Sequence, residues 1–239
     1  FQDGILNTSY NCLDRHIKDG RGANLALVYD SPVTDTIQKF TYAQLHEQVC
    51  RAATVLRNLG IQKGDRVVIY MPNIPEAVIS MLACARVGAV HSVVFGGFAA
   101  PELATRIVDC QPKLVIASSC GIDGKKLIDY KALLDQALEI AGPAHGACRT
   151  LIKQRAQLQA PLRAGRDHDW DAEMQALAQV DASVAPVRAD DPLYILYTSG
   201  TTGQPKGVVR DNGGYATALR WTMQNVYDVQ PGDVYWAAR

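Results

Sequence analysis

Residues 64–95 read GDRVVIYMPNIPEAVISMLACARVGAVHSVVF. RVVIY (66–70) and AVHSVVF (89–95) are apolar at consecutive positions, as strands buried on both faces must be. Pro75 predicts the start of the helix between them, and Gly88 its end near Val87. The rhythm continues outward. KLVIAS (113–118) and LYILY (193–197) are predicted strands, while Pro101 to about Asp109, Tyr130 to Ile140 and about Gly214 to Tyr227 are predicted helices. Upstream, residues 25–30 and 37–40 read as short strands around the Ser31-Pro32 turn. Thr41 stands three residues before Gln44, a capping box for a helix carrying Leu45, Val49, Ala52, Ala53, Leu56 and Leu59, with Gly60 as its stop. Alternating strands and helices predict an α/β fold, a mostly parallel sheet flanked by helices.

Four parts follow: an N-terminal segment (1–60), a βαβ repeat (61–140), an irregular connection with one short helix near 171–179 (141–190), and a C-terminal segment (191–239). The 239 residues are 48% hydrophobic and 20% charged, which excludes disorder and small disulfide scaffolds. Lys+Arg and Asp+Glu are 24 each, so no broad basic surface for nucleic acid is expected. The apolar stretch Ala77–Ala85 is too short to span a bilayer. Cys12, Cys50, Cys84, Cys110, Cys120 and Cys148 form no C-x-x-C pair and are read as reduced thiols of a cytoplasmic protein. The chain starts at Phe1 and stops at Arg239 after an apolar run, and both ends are read as cuts.

The chemistry concentrates in Tyr197-Thr198-Ser199-Gly200-Thr201-Thr202-Gly203-Gln204-Pro205-Lys206-Gly207. Glycines let successive N–H groups converge on one anion, hydroxyls add donors, and Lys206 adds a compact positive charge. Together they suit the oxygens of a polyphosphate. The order of residues is not that of a Walker A loop, because Gln204 follows Gly203 and Gly207 follows Lys206. No G-x-G-x-x-G opens a helix after a strand, so a dinucleotide fingerprint is missing as well.

Elsewhere the residues read as structural. His16, His46, His91, His145 and His168 are scattered; His46 on a helix and His91 in an apolar strand are expected to be hydrogen-bonded core histidines. Arg166-Asp167-His168-Asp169-Trp170 reads as a surface turn, Asp190-Asp191-Pro192 as the end of a loop, and Trp221 and Met223 as packing. Asp211-Asn212-Gly213-Gly214 should turn the chain and cap the next helix.

YTSGTTGQPKG (197–207) closely resembles the phosphate loop of adenylate-forming enzymes. NTSYNCLDRH (7–16), FTYAQL (40–45), residues 64–98 and DDPLYILYTSGTTG (190–203) are similar to the short-chain acyl-CoA synthetase branch. Within it, GQPKGVVRDNGGY (203–215) and QPGDVYWAA (230–238) look most like propionyl-CoA synthetases. The resemblance implies the N-terminal part of a large domain, in an acid–thiol ligase working in two steps. A carboxylate, propionate by this likeness, forms acyl-AMP and pyrophosphate with ATP; the thiol of CoA then displaces AMP. Acetate or butyrate as the acid, or a non-catalytic nucleotide-binding paralogue, are the alternatives.

The resemblance assigns Thr198, Ser199, Gly200, Thr201, Thr202, Gly203 and Lys206 to the β- and γ-phosphates of ATP, with Mg2+ alongside, and singles out Thr198 and Thr201 as hydroxyls that contact oxygen. It assigns Phe95, Gly96 and Gly97 to the nucleotide end of CoA. Acetyl-activating relatives carry a CoA-phosphate arginine in a glycine-rich turn. The matching turn, Gly121–Lys126, has Asp123 there, so that contact would shift to Lys125 or Lys126. No protein metal ligands are expected, and the partners implied are small molecules alone, with neither nucleic acid nor membrane. A catalytic lysine, the acyl pocket and the adenine contacts are expected beyond residue 239.

Overall fold

The computed structural model describes residues 3–94, 96–146, 148–198 and 205–236. The chain opens with β1 (Ile5–Leu6) and two short π-helical segments, Tyr10–Asp14 and Ile17–Arg21, before an antiparallel hairpin of β2 (Leu25–Ser31) and β3 (Thr36–Thr41). Helix α1 (Tyr42–Asn58) starts at the predicted capping box. Gln44 N–H donates to Thr41 Oγ1 at 3.2 Å, and Thr41 N–H donates to Gln44 Oε1 at 2.9 Å. Then come β4 (Arg66–Tyr70), α2 (Pro75–Val87), β5 (Val90–Val93), α3 (Ala100–Cys110) and β6 (Leu114–Ser118). Pro75 lies in the first turn of α2, and Gly88 ends it with φ +80°, a left-handed conformation that glycine adopts without strain.

A tight hairpin, β7 (Cys120–Asp123) and β8 (Lys126–Asp129), leads into α4 (Tyr130–Ala141) and α5 (Pro143–Gly146). The chain continues through β9 (Arg149–Lys153), β10 (Asp167–Asp169), α6 (Trp170–Gln175), β11 (Val187–Arg188), β12 (Pro192–Thr198), β13 (Lys206–Asp211) and α7 (Asn212–Asn225). Asp211 caps α7 as expected, its Oδ1 accepting from Tyr215 N–H at 3.1 Å.

The central sheet has the order β10-β9-β6-β4-β5-β12-β13 among the described residues. All neighbouring pairs are parallel except β12–β13. The expected α/β class with a mostly parallel sheet is therefore what forms. Alternate residues serve opposite faces. Val67, Ile69, Leu114, Ile116 and Leu151 meet α1 and α2, whereas Val68, Tyr70, Val115, Ala117 and Ile152 meet α3 and α4. Because both faces are covered, the strands read as continuous apolar runs.

Four readings need correction. Residues 141–190 carry β9 and β10, two strands of the central sheet, where an irregular connection was expected; β9 is short and lies next to charged residues, which masks its apolar core Leu151–Ile152. Lys206–Asp211 form β13, an antiparallel edge strand that was not predicted, because this stretch lacks the apolar run of a buried strand. Trp221 is 61% exposed instead of packed. Arg166–Trp170 is no surface turn: the Asp167 side chain is fully buried between α4 and the sheet.

That carboxylate is held on all sides. It accepts from Lys131 Nζ at 2.9 Å, Arg166 Nε at 2.5 Å, Thr150 Oγ1 at 2.8 Å and the backbone N–H of Arg163 at 2.8 Å. Lys131 and Arg166 both also contact Asp135. Burial by itself would raise the Asp167 pKa, but these donors hold it far below the usual carboxylate range. Removing one partner of such a buried pair strands the other charge. Asp167→Ala should therefore lower unfolding free energy in urea by roughly 3–5 kcal/mol, against about 1 kcal/mol for the cap variant Thr41→Ala. Equal losses for the two variants would contradict this account of what locks α4 to β9.

Candidate functional site

In a parallel sheet every strand-to-helix connection leaves from the same edge, and ligands gather outside the carboxyl ends of the strands. Here β5 and β12 are neighbours with Tyr194 opposite His91, so Val94 and Thr198 stand side by side at the carboxyl edge. The first leads to Gly96 and Gly97, and the second leads into the stretch nominated from the sequence for phosphate. Phe95, Ser199, Gly200, Thr201, Thr202 and Gly203, all nominated from the sequence, lie outside the described residues. The flanks are described. Thr198 and Lys206 are direct cross-strand partners in the β12–β13 ladder, so a hydroxyl and an ammonium project from the same face at the mouth of the loop.

Both of those residues are exposed. Most lysines with a described partner are tied down: Lys63 by Asp191 at 2.7 Å, Lys113 by Asp65 at 2.9 Å, Lys131 by Asp135 at 2.7 Å and Lys153 by Asp171 at 2.8 Å. Among the described residues, Lys39, Lys125, Lys126 and Lys206 have neither a hydrogen bond nor an ion pair of the side chain. Three of these four cations belong to the nominated set. Lys125 and Lys126 sit at the tip of the β7–β8 hairpin, which follows β6 at the same carboxyl edge.

Tyr130 joins two of these segments. A Cβ on Gly96 would overlap the Tyr130 hydroxyl, and one on Gly121 would stand 2.6 Å from its Cζ. Both glycines thus have a packing reason, close approach of one phenol ring. The ring also stacks on Tyr70 at 4.8 Å between centroids, and Tyr70 Oη donates to Phe98 carbonyl oxygen at 2.9 Å. The turn after β5 and the base of the β7–β8 hairpin are therefore fixed against the same pair of tyrosines. Gly97 is exposed. The arrangement can offer exposed donors and cations to an anion at the sheet edge. No group of three or more His, Cys, Asp or Glu side chains placed to hold a metal occurs among the described residues.

Comparison with known proteins identifies the family. The family described as "AMP-binding enzyme" matches residues 15–238. The chain belongs to the AMP-binding enzyme family. It is 52% identical over its whole length to acyl-CoA synthetase short-chain family member 3, mitochondrial, of Mus musculus, covering 34% of that protein. It is 47% identical over 99% of its length to acetyl-coenzyme A synthetase of Pasteurella multocida, covering 35%. In structure it is similar to acetoacetyl-CoA synthetase from Streptomyces lividans, with a TM-score of 0.82, 29% identity, and 96% of this chain on 34% of that one. The chain thus spans about a third of the length of the relatives it matches.

This member of the family also has features that the sequence left unread. On the α2 side of β5 and β12 lies a cavity of about 670 Å³, lined by apolar side chains of β2, α1, α2 and β12 together with His91, Tyr194 and Tyr215. His46 has the expected hydrogen bond, to Asp14 Oδ1 at 3.1 Å. His91 does not: it is 8% exposed, its ring stacks on Tyr194 at 5.7 Å, and its Nδ1 finds no hydrogen-bond partner among the described residues. A strand position alone gave no signal of that. Burial pulls the His91 pKa down to about 4.

The unfolded chain then takes up a proton at higher pH than the folded one. Stability is complete above the unfolded value of about 6.5 and falls as pH drops toward 4. The loss over that window should reach roughly 3 kcal/mol, and His91→Phe should flatten this part of the curve measured by urea unfolding. An unchanged slope in the variant would show that His91 is not the group responsible.

Proposed function

We propose that the longer polypeptide carrying this segment is a short-chain acyl-CoA synthetase that activates propionate with ATP and passes the acyl group to CoA. The observation that carries the reading is the pairing of Thr198 with Lys206 at the mouth of the loop, on the carboxyl edge of the sheet. The relatives' names support the reaction class, and the sequence likeness at 203–215 and 230–238 supports propionate over acetate or butyrate.

In the first step a carboxylate oxygen bonds to the α-phosphorus of ATP, the bond to the bridging oxygen breaks, and pyrophosphate leaves. In the second, the CoA sulfur attacks the acyl carbon, its proton is lost, and AMP departs. The chain's own residues position and neutralise. Thr198, Ser199, Gly200, Thr201, Thr202 and Gly203 offer hydroxyl and backbone donors to the β- and γ-phosphates, and Lys206 offset their charge. Mg2+, when bound with ATP, supplies further charge neutralisation. In this reading Phe95, Gly96, Gly97, Lys125 and Lys126 serve CoA, with the two lysines, unpaired among the described residues, suited to its phosphates. Acyl chemistry and the catalytic lysine belong to parts of the polypeptide outside this segment, so these 239 residues alone are expected to be inactive. A cytoplasmic setting belongs to the same reading and rests on the six unpaired cysteines.

Pyrophosphate release by the longer polypeptide, measured with acetate, propionate and butyrate, should be fastest with propionate. Lys206→Ala and Thr201→Val should each slow it by roughly 100-fold or more while the fold is kept, the order of effect of one donor aimed at developing charge. Parental rates in both variants would overturn the loop assignment, and a preference for another acid would overturn the substrate.

A further inference from the structure

We propose that Asp109, acting through the Tyr197 phenol, is a positioning residue for the phosphate loop. This rests on the phosphate-binding reading of that loop. Tyr197 immediately precedes Thr198, and the contacts that bind β12 to β5 lie upstream: Tyr194 pairs with His91, and Ser92 Oγ donates to Ile195 carbonyl oxygen at 2.9 Å. Beyond Ile195 the strand's described ladder partner is β13, the edge strand of the sheet. A hairpin held only to itself could swing as a unit, carrying Thr198 and Lys206 with it.

The Tyr197 side chain prevents that. It packs on the α3–α4 face, and its Oη donates to Asp109 Oδ2 at 2.5 Å across 88 residues of sequence. Gly207, directly opposite in the ladder, leaves room for the ring, since a Cβ there would stand 3.2 Å from Tyr197 Cε1. The Arg106 guanidinium lies 5.8 Å from the Tyr197 ring centroid and 4.2 Å from that of Phe98, so the same turn of α3 also grips the segment that follows Gly96 and Gly97.

Asp109 is poorly chosen for the helix that bears it. It sits in the last turn of α3, where the helix dipole disfavours a negative side chain. Helix stability therefore gives no reason for a carboxylate at this position, whereas the phenol does. Burial and the neighbouring carboxylate raise the Tyr197 pKa well above its ordinary value, so the hydroxyl remains a donor throughout the neutral range.

Amide hydrogen exchange on the full chain tests the tie, with inorganic tripolyphosphate plus Mg2+ as the binding probe. In Tyr197→Phe and Asp109→Ala, the amides of Thr198, Lys206 and Gly207 should exchange about five times faster, as loss of one hydrogen bond predicts. Amides of β4 should be unchanged. Asp109→Asn keeps a carbonyl acceptor and should restore parental exchange. Tripolyphosphate affinity should fall in the first two variants by a similar factor and recover in the third. Unchanged exchange at the hairpin, or an increase extending to β4, would overturn the positioning role. Failure of the parent chain to bind tripolyphosphate would instead overturn the phosphate reading, and the exchange data would still decide whether Asp109 holds the hairpin.

Discussion

Parallel strands that are buried on both faces must be joined by crossovers, and every crossover begins at the same edge of the sheet. That constraint governs the layout of this protein. Val67–Tyr70 and Leu114–Ala117 are almost wholly removed from water, so α1 and α2 must cover one face and α3 and α4 the other. Once the strands are laid side by side, the exits of β5, β6 and β12 fall along one line. Gly96 and Gly97, the β7–β8 hairpin and the Thr198–Lys206 pair are brought together there, although roughly 100 residues of sequence separate the first from the last.

Charge is managed in opposite ways at the two ends of this layout. Beneath α4, Lys131, Arg166, Asp135 and Asp167 neutralise one another in a dry setting where a lone charge would be prohibitive. Arg86 does the same on the other side, forming a two-pronged pair with Asp14 at 2.8 and 2.9 Å. At the carboxyl edge, by contrast, Lys125, Lys126 and Lys206 are exposed and unpaired among the described residues. Fixed pairs hold the scaffold, and cations left open at the edge can meet an anionic ligand.

Much of this was legible in the residues. The apolar runs at 66–70, 113–118 and 193–197 each became a parallel strand, and Thr41, Pro75, Gly88 and Asp211 marked helix ends by local chemistry that needs no tertiary contact. What stayed hidden depends on neighbours distant in sequence. Leu151 and Ile152 form too short an apolar run to announce β9, and they are recognisable as core only once β6 lies alongside. Asp167 looked like part of a polar turn because Lys131 and Arg166 complete it from other elements. At the site, the loop composition pointed to phosphate, but the reasons for Gly96, Gly121 and Gly207 lie in Tyr130 and Tyr197, whose partners no local pattern reveals.

The central claim is that nucleotide phosphates meet this chain at the carboxyl edge, between the exits of β5 and β12. Titrating the isotope-labelled chain with Mg·ATP and following backbone amide shifts tests it most directly. Shifts should concentrate at Gly96, Gly97, Thr198, Lys206 and Gly207, leaving Gly64, Arg66 and Lys113 at the opposite edge undisturbed. A response centred on that opposite edge, or none at Thr198 and Lys206, would contradict the account.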